Sequence, residues 1–230
     1  MAPGMLINTI MRPLYLLFPL TFLVPTAAFA ETDGTSVSAT SLVREMNLAR
    51  ENPAGYAAYI ENVRSHFDGS QVVLPGGTRV RSKEGVRALD DAIRFLRQAR
   101  PQAPLALSTG MSRAAADHCA DQAAGRRGHD GSDRSSPGAR ISRYGEWSGA
   151  WGENLAYGKT NARDIIMALI IDDGLPARKH RKNIFNPKFN VAGAAFGPHA
   201  VYRTVCSIDF AGGYADQGRP AGQSLVARNF

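Results

Sequence analysis

Cysteine is nearly missing from this chain: Cys119 and Cys206 are the two among 230 residues. That excludes a small, loop-rich scaffold stapled by several disulfides. The single pair is far apart in sequence. In an oxidising compartment it can form one bond tying two elements together, or it can stay as two buried thiols acting as small hydrophobes. Several catalytic signatures are also missing. There is no G-x-S-x-G elbow, no H-E-x-x-H helix, no phosphate-binding P-loop and no G-x-G-x-x-G following a strand. This argues against the commonest secreted hydrolases. No RNP, zinc-finger or helix-turn-helix pattern accompanies the formal net charge of +7, so nucleic acid is not indicated as a partner. Internal repeats are absent as well.

Charge is scarce at the N-terminus, where Arg12 is the sole charged residue of the first thirty. An apolar stretch from Leu14 to Val24, broken by Pro19, is too short to span a bilayer, which takes about 20 apolar residues. Ala28-Phe29-Ala30 supplies the small-x-small pattern read by a signal peptidase. Residues 1–30 are therefore expected to be a removable signal, leaving a secreted or periplasmic product with no stable membrane anchor. Residues 31–40, rich in Gly, Ser, Thr and Asp, are expected to form a flexible lead-in. The remainder is long enough to bury a core of its own as one domain.

Periodicity organises that remainder. Leu42, Met46 and Ala49 predict a helix to about Glu51. Asn52-Pro53 predicts an N-cap and a first-position proline for a second helix carrying Tyr56, Tyr59, Ile60 and Val63. Residues 68–81, with Gly69, Pro75, Gly76 and Gly77, read as a loop. Val86, Leu89, Ile93 and Leu96 make an amphipathic stripe ended by Pro101. Ser108 caps a helix through Ala124, stopped by Gly125. A long Gly-, Ser- and Arg-rich connection follows over 126–150, and a strand over Trp151–Tyr157. Asn161 and Asp164 open a helix buried through Ile165, Ile166, Leu169 and Ile170. Two strands close the domain, Val191–Phe196 and Val201–Phe210, with Gly197-Pro198-His199-Ala200 as the hairpin turn and Tyr202, Cys206, Ile208 and Phe210 on one face. Helices flanking late strands give a layered α+β domain.

The residues able to carry chemistry stand in turn-rich or apolar surroundings. These are His129 in Gly128-His129-Asp130-Gly131, Glu153 in Trp151-Gly152-Glu153-Asn154-Leu155, His180 in Arg178-Lys179-His180-Arg181-Lys182-Asn183-Ile184, and Asp172 and Asp173 at the end of the preceding helix. Two imidazoles and one or two carboxylates are donors suited to Zn2+ or another divalent metal, and equally to acid–base work. Each is also explained by capping or a structural ion pair. His66 and His199 read as loop residues without a suggested partner. His118 and Cys119, adjacent on a helix, point about 100° apart and do not form a Cys–His pair. The basic run Arg178, Lys179, Arg181, Lys182 reads as a solvated face, or as an attractor of anionic ligands.

Taken in order, Gly128-His129, Gly152-Glu153-Asn154-Leu155 and His180-Arg181-Lys182-Asn183-Ile184-Phe185-Asn186-Pro187, followed by Phe189-Asn190-Val191-Ala192-Gly193, resemble the CAP superfamily. This groups cysteine-rich secretory proteins, antigen 5 and pathogenesis-related 1 proteins, also called SCP domains. The first helix, with Asn47 to Arg50, matches too. The resemblance covers residues 41–214, leaving 215–230 as a C-terminal tail, and it implies a three-layer α-β-α sandwich with an open cleft in a single monomeric domain. It also implies two His and two acids in the cleft, here His129, His180, Glu153 and one of Asp172 or Asp173. The second acid departs from the pattern, since the helix before His180 carries no Glu. Residues 64–104 are longer than a minimal domain of this kind needs. The resemblance names no single activity, and two functions are set against each other. One is a binding module for a lipid, a metal ion, an envelope polymer or an extracellular protein. The other is a metal-assisted hydrolase with Glu153 as general base beside His129 and His180. A purely structural role for the His–acid pairs is the third reading.

Overall fold

The computed structural model describes residues 37–68, 70–73 and 79–217. The expected signal over 1–30 and most of the lead-in and tail lie outside the described residues.

Helix α1 spans Ala39–Glu51 and is opened by a reciprocal Ser38–Ser41 capping box, so it begins inside the segment read as a lead-in. Asn52 then accepts from the Gly55 amide and starts α2, Pro53–Asn62, with proline at its first position as expected. The segment read as a loop instead holds three short antiparallel strands: β1 (Phe67–Asp68), β2 (Gln71–Val73) and β3 (Arg79–Arg81). Strands of two or three residues are too brief to show a period of two, and the glycines between them dominate the composition. Next come α3 (Val86–Gln98), β4 (Ala106–Leu107) and α4 (Thr109–Gln122). Ser108 caps α4 as its spacing predicts, and its hydroxyl also donates to Asp216 at 2.8 Å.

The connection over 126–150 contains a short helix, α5 (Pro137–Ile141), and the first half of β5 (Gly145–Tyr157). Then follow α6 (Ala162–Ile171), α7 (Lys179–Ile184), β6 (Val191–His199) and β7 (Arg203–Asp216). The hairpin turn is residues 200–202, not 197–200. Pro198 fits within β6 because β4 is only two residues long and pairs with Val191 and Ala192 alone, so β6 needs no outward donor further along. His199 makes the tight turn: its Nδ1 accepts from the amides of Val201 and Tyr202, both at 3.1 Å. Tyr202 consequently lies in the turn, while Cys206, Ile208 and Phe210 share a buried face as expected.

The main sheet has the order β4-β6-β7-β5 with helices on both faces, giving the three-layer α-β-α arrangement. One layer is α4 with α5. The other contains α1, α6 and α7, with α2 and α3 packed outside. The larger core joins Leu42, Met46, Ile60, Leu89, Leu96, Ile166 and Ile170 to Ile208 and Phe210. The smaller joins Met111, Ala114, Ile141 and Ala211 under α4. Two α1 side chains bind the layers together. Asn47 mimics a strand neighbour, donating to the Leu105 carbonyl at 3.0 Å and accepting from its amide at 2.8 Å. Arg50 is buried and donates to the carbonyls of Ala103, Ile184 and Phe189.

Candidate functional site

Strand β5 is the sheet edge, and its alternation sends neighbouring residues to different layers. Glu153 stands in register with Asp209 of β7, which is in register with Gly193 of β6. A Cβ on Gly193 would come within 2.3 Å of the Met111 and Ser112 backbone of α4, so this row faces the α4 layer. Asn154, one residue on, reaches the other layer: its amide donates to the His180 carbonyl at 3.0 Å and its oxygen accepts from Asn183 at 2.8 Å.

On the α4 side a buried polar cluster surrounds Glu153. Its Oε1 meets His129 Nδ1 at 2.7 Å; its Oε2 accepts from Arg140 Nη2 at 2.7 Å and from Ser207 Oγ at 3.2 Å. The Glu153 side chain is 1% exposed, whereas His129 is 54% exposed. The hydrogen bond to Glu153 raises the His129 pKa above the ordinary imidazole value against partial desolvation. His118 lies beneath, 3.9 Å from Glu153, with its Nε2 against Gly128 and Gln122. Desolvation lowers its pKa, so it is held neutral. Asp209 is buried and neither of its oxygens has a hydrogen-bond partner among the described residues; burial first and the Glu153 charge second push its pKa well up, keeping it protonated.

The second pair lies on the other side. Asp172 ends α6 in the left-handed region at φ 57°, a conformation Asp tolerates better than most residues. The turn brings its carboxylate onto α7, where Oδ2 accepts from the His180 amide at 3.0 Å and Oδ1 meets His180 Nδ1 at 2.7 Å. Both contacts fix the ring, with Nδ1 as donor and Nε2 left available. Asp173 has a different task, accepting from the amides of Lys83 and Glu84 at 2.8 Å each.

His180 and Asp172 open onto a cavity of about 610 Å3 along the outer edge of β5, lined mostly by apolar groups including Val63, Phe67, Leu155, Met167, Leu169 and Leu175. Strand β2, the end of β3 and the turn into α3 also line it through Val72, Arg81, Ser82 and Gly85, so the long 64–104 region contributes to the cavity. His66 is one of the lining residues.

His129, Glu153 and His180 therefore do not come together as one ligand set. Among the described residues no group of three or more His, Cys, Asp or Glu is placed to hold a metal ion. Both Glu153 oxygens are already engaged by His129, Arg140 and Ser207, so the residues present do not fit a shared divalent site. The basic run is also largely used internally. Arg178 makes paired bonds to Glu84 at 2.6 and 2.7 Å, which hold the Glu84 pKa down to about 2, and Arg181 is buried against Asp91 at 2.9 Å. Cys119 and Cys206 are buried free thiols; burial raises the Cys119 pKa to about 12.

Sequence reasoning overlooked Arg140, Ser207, Asp209 and the role of His118. Ser207 and Asp209 alternate with Cys206, Ile208 and Phe210, and α4 covers the face they share. Arg140 sits on a five-residue helix that carries no periodic signal.

A model of the cysteine-rich secretory protein family, CAP, matches residues 91–210. Among solved structures the chain is similar to an extracellular protein containing an SCP domain from Bacillus anthracis, at 21% identity and TM-score 0.39, covering 48% of this chain and 34% of that one. It is similar to an outer surface protein from Borrelia burgdorferi at 12% identity and TM-score 0.41, covering 78% and 98% respectively. A cysteine-rich secretory protein from Staphylococcus aureus gives 14% identity and TM-score 0.35, covering 59% and 41%. A search of the curated proteins returns no match.

Proposed function

We propose, from the premise that this chain belongs to the CAP family of cysteine-rich secretory proteins, that it is an extracytoplasmic binding module for a small amphipathic molecule. The observation that carries this is the cavity of about 610 Å3 with the His180–Asp172 pair at its wall. Its size lies within the ordinary range for ligand pockets, about 300–1,000 Å3. Apolar walls with a few convergent polar groups suit a ligand with a hydrocarbon body and one polar end. Lys159, which lines the cavity and has no ion-pair partner among the described residues, favours a hydrogen-bond-accepting or acidic head. The export pattern over residues 1–30 supports a site of action outside the cytoplasm, so a lipid of the cell envelope or its surroundings is the ligand class. The test is titration with cis-parinaric acid. Saturable fluorescence enhancement in the parent protein, lost in Leu155→Arg with folding retained, supports the reading; no saturable binding removes it.

A second reading, hydrolysis, is favoured by one geometric feature. Asp172 holds His180 as a carboxylate holds a general base, and His180 is one of the residues lining the cavity. Glu153 is poorly suited to that task because its carboxylate is 1% exposed and saturated with donors. Esterase activity toward p-nitrophenyl acyl esters that disappears in His180→Gln, with lipid binding kept, would select this reading. Equal activity in the variant would eliminate it.

A further inference from the structure

The cavity has a direction. Helix α6 lends it Asp164, Met167, Ala168 and Ile171, a single helical stripe, and ends on Asp172. At the rise of an α-helix, Asp164 and Asp172 stand about 12 Å apart. Strand β5 follows the same wall in reverse. Its Asn154 donates to the His180 carbonyl at 3.0 Å, and the chain then lines the cavity with Leu155, Ala156 and Tyr157 before reaching Lys159. Thr204 Oγ1 donates to the Lys159 carbonyl at 2.7 Å and pins it there, just ahead of the α6 cap Asn161. Lys159 thus belongs to one end of the cavity and the His180–Asp172 pair to the other.

The two ends offer opposite hydrogen-bonding chemistry. The Lys159 ammonium only donates. In the neutral His180 ring Nδ1 donates to Asp172, so Nε2 is an acceptor, and it has no partner among the described residues. The acids of the lining are engaged within the chain: Asp164 accepts from Asn161 Nδ2 at 2.8 Å, Asp172 holds His180, and Asp173 takes the amides of Lys83 and Glu84. Arg81 belongs to the His180 end, since Lys83 and Glu84 just after it grip Asp173. It shares a row of the small sheet with Gln71 and Asp68, which places a carboxylate of this chain on the same row.

A ligand that meets both ends carries an acid at one terminus and a hydrogen-bond donor on the far side of its hydrocarbon. A plain fatty acid would lay apolar chain against a buried acceptor, and a hydroxyl beside the carboxylate would stand at the wrong end. Resting on the reading of the cavity as a lipid site, we propose that it takes a long-chain hydroxy acid end to end, with the carboxylate at Lys159 and the hydroxyl donating to His180 Nε2 about 12 Å away.

The test is displacement of cis-parinaric acid from the intact protein by decanoic, α-hydroxydecanoic and ω-hydroxydecanoic acids. The ω-hydroxy acid should displace the probe at about fivefold lower concentration than decanoic acid, the worth of one net hydrogen bond, and the α-hydroxy acid should gain nothing. Lys159→Met should weaken all three acids alike and keep the ω preference. His180→Phe, with folding checked by melting curves, should erase that preference and leave decanoic acid binding as in the parent. The comparison of acids on the parent protein stands even if His180→Phe does not fold. An ω-hydroxy acid that binds no more tightly than decanoic acid, or a preference that survives in folded His180→Phe, overturns the two-ended site while the lipid reading stands. A probe that does not bind saturably removes both.

Discussion

Asp209 stands directly across the β5–β7 ladder from Glu153, and the two carboxyl groups have opposite surroundings: Glu153 accepts from Arg140 and Ser207 and pairs with His129, while neither Asp209 oxygen has a partner among the described residues. Two adjacent buried carboxyls sharing the field of one guanidinium favour a single negative charge. Arg140 and His129 secure it on Glu153, and Asp209 keeps its proton.

Stability should therefore fall with pH on account of Asp209. Its folded pKa lies above the ordinary carboxyl value of about 3.9. The native state holds a proton that the unfolded chain releases, so the contribution is present below about pH 4 and is lost as pH rises toward the raised folded value. Urea denaturation of the parent across this window should show the decline, and Asp209→Asn should flatten it. An unchanged slope in the variant would show that Asp209 is not the titrating group.

Glu153 and Arg140 form a buried ion pair, side chains 1% and 2% exposed. Removing one partner strands the other, at a cost of about 3 kcal/mol. Glu153→Gln and Arg140→Met should each lower the denaturation free energy by that order, and the double variant should recover part of the loss. Strict additivity would mean the pair is not coupled.

His129 should titrate above the ordinary imidazole value of about 6.5 because Glu153 holds its Nδ1. The stabilisation is complete below that value and disappears as pH rises through the folded pKa. Proton NMR of the ring should show the raised midpoint in the parent and a return toward the ordinary value in Glu153→Gln. A normal midpoint in the parent would refute the contact.

Gly193 lies where α4 presses on the sheet, and its Cβ position is 2.3 Å from backbone atoms that cannot move aside. Gly193→Ala should cost about 3 kcal/mol, the upper end for overpacking. A melting temperature equal to the parent's would argue against that close approach.

What could be read from the chain was mostly local. Ser108, Asn52 and Asn161 each accept the amide that their cap spacing predicts, because a cap is decided within three residues. The buried stripe Leu89, Ile93, Leu96 of α3 was equally plain. The pairing of His180 with Asp172 rather than Asp173 depends on a left-handed turn at Asp172 that no pattern announces. The separation of Glu153 from His180 depends on which face of β5 each element covers, a tertiary fact. Asp209 drew no notice because alternation shows which residues share its face but not that His118, Arg140 and Glu153 converge there.

The central claim is that the cavity beside His180 takes an amphipathic molecule. The most direct measurement is photocrosslinking with a diazirine-bearing long-chain fatty acid, followed by peptide mapping. The account predicts label on β5 and α6 around Leu155, Met167 and Leu169, competed by unlabelled fatty acid and abolished by Leu155→Arg. Label confined to the Trp147–Trp151 segment, or scattered and not competed, would contradict it.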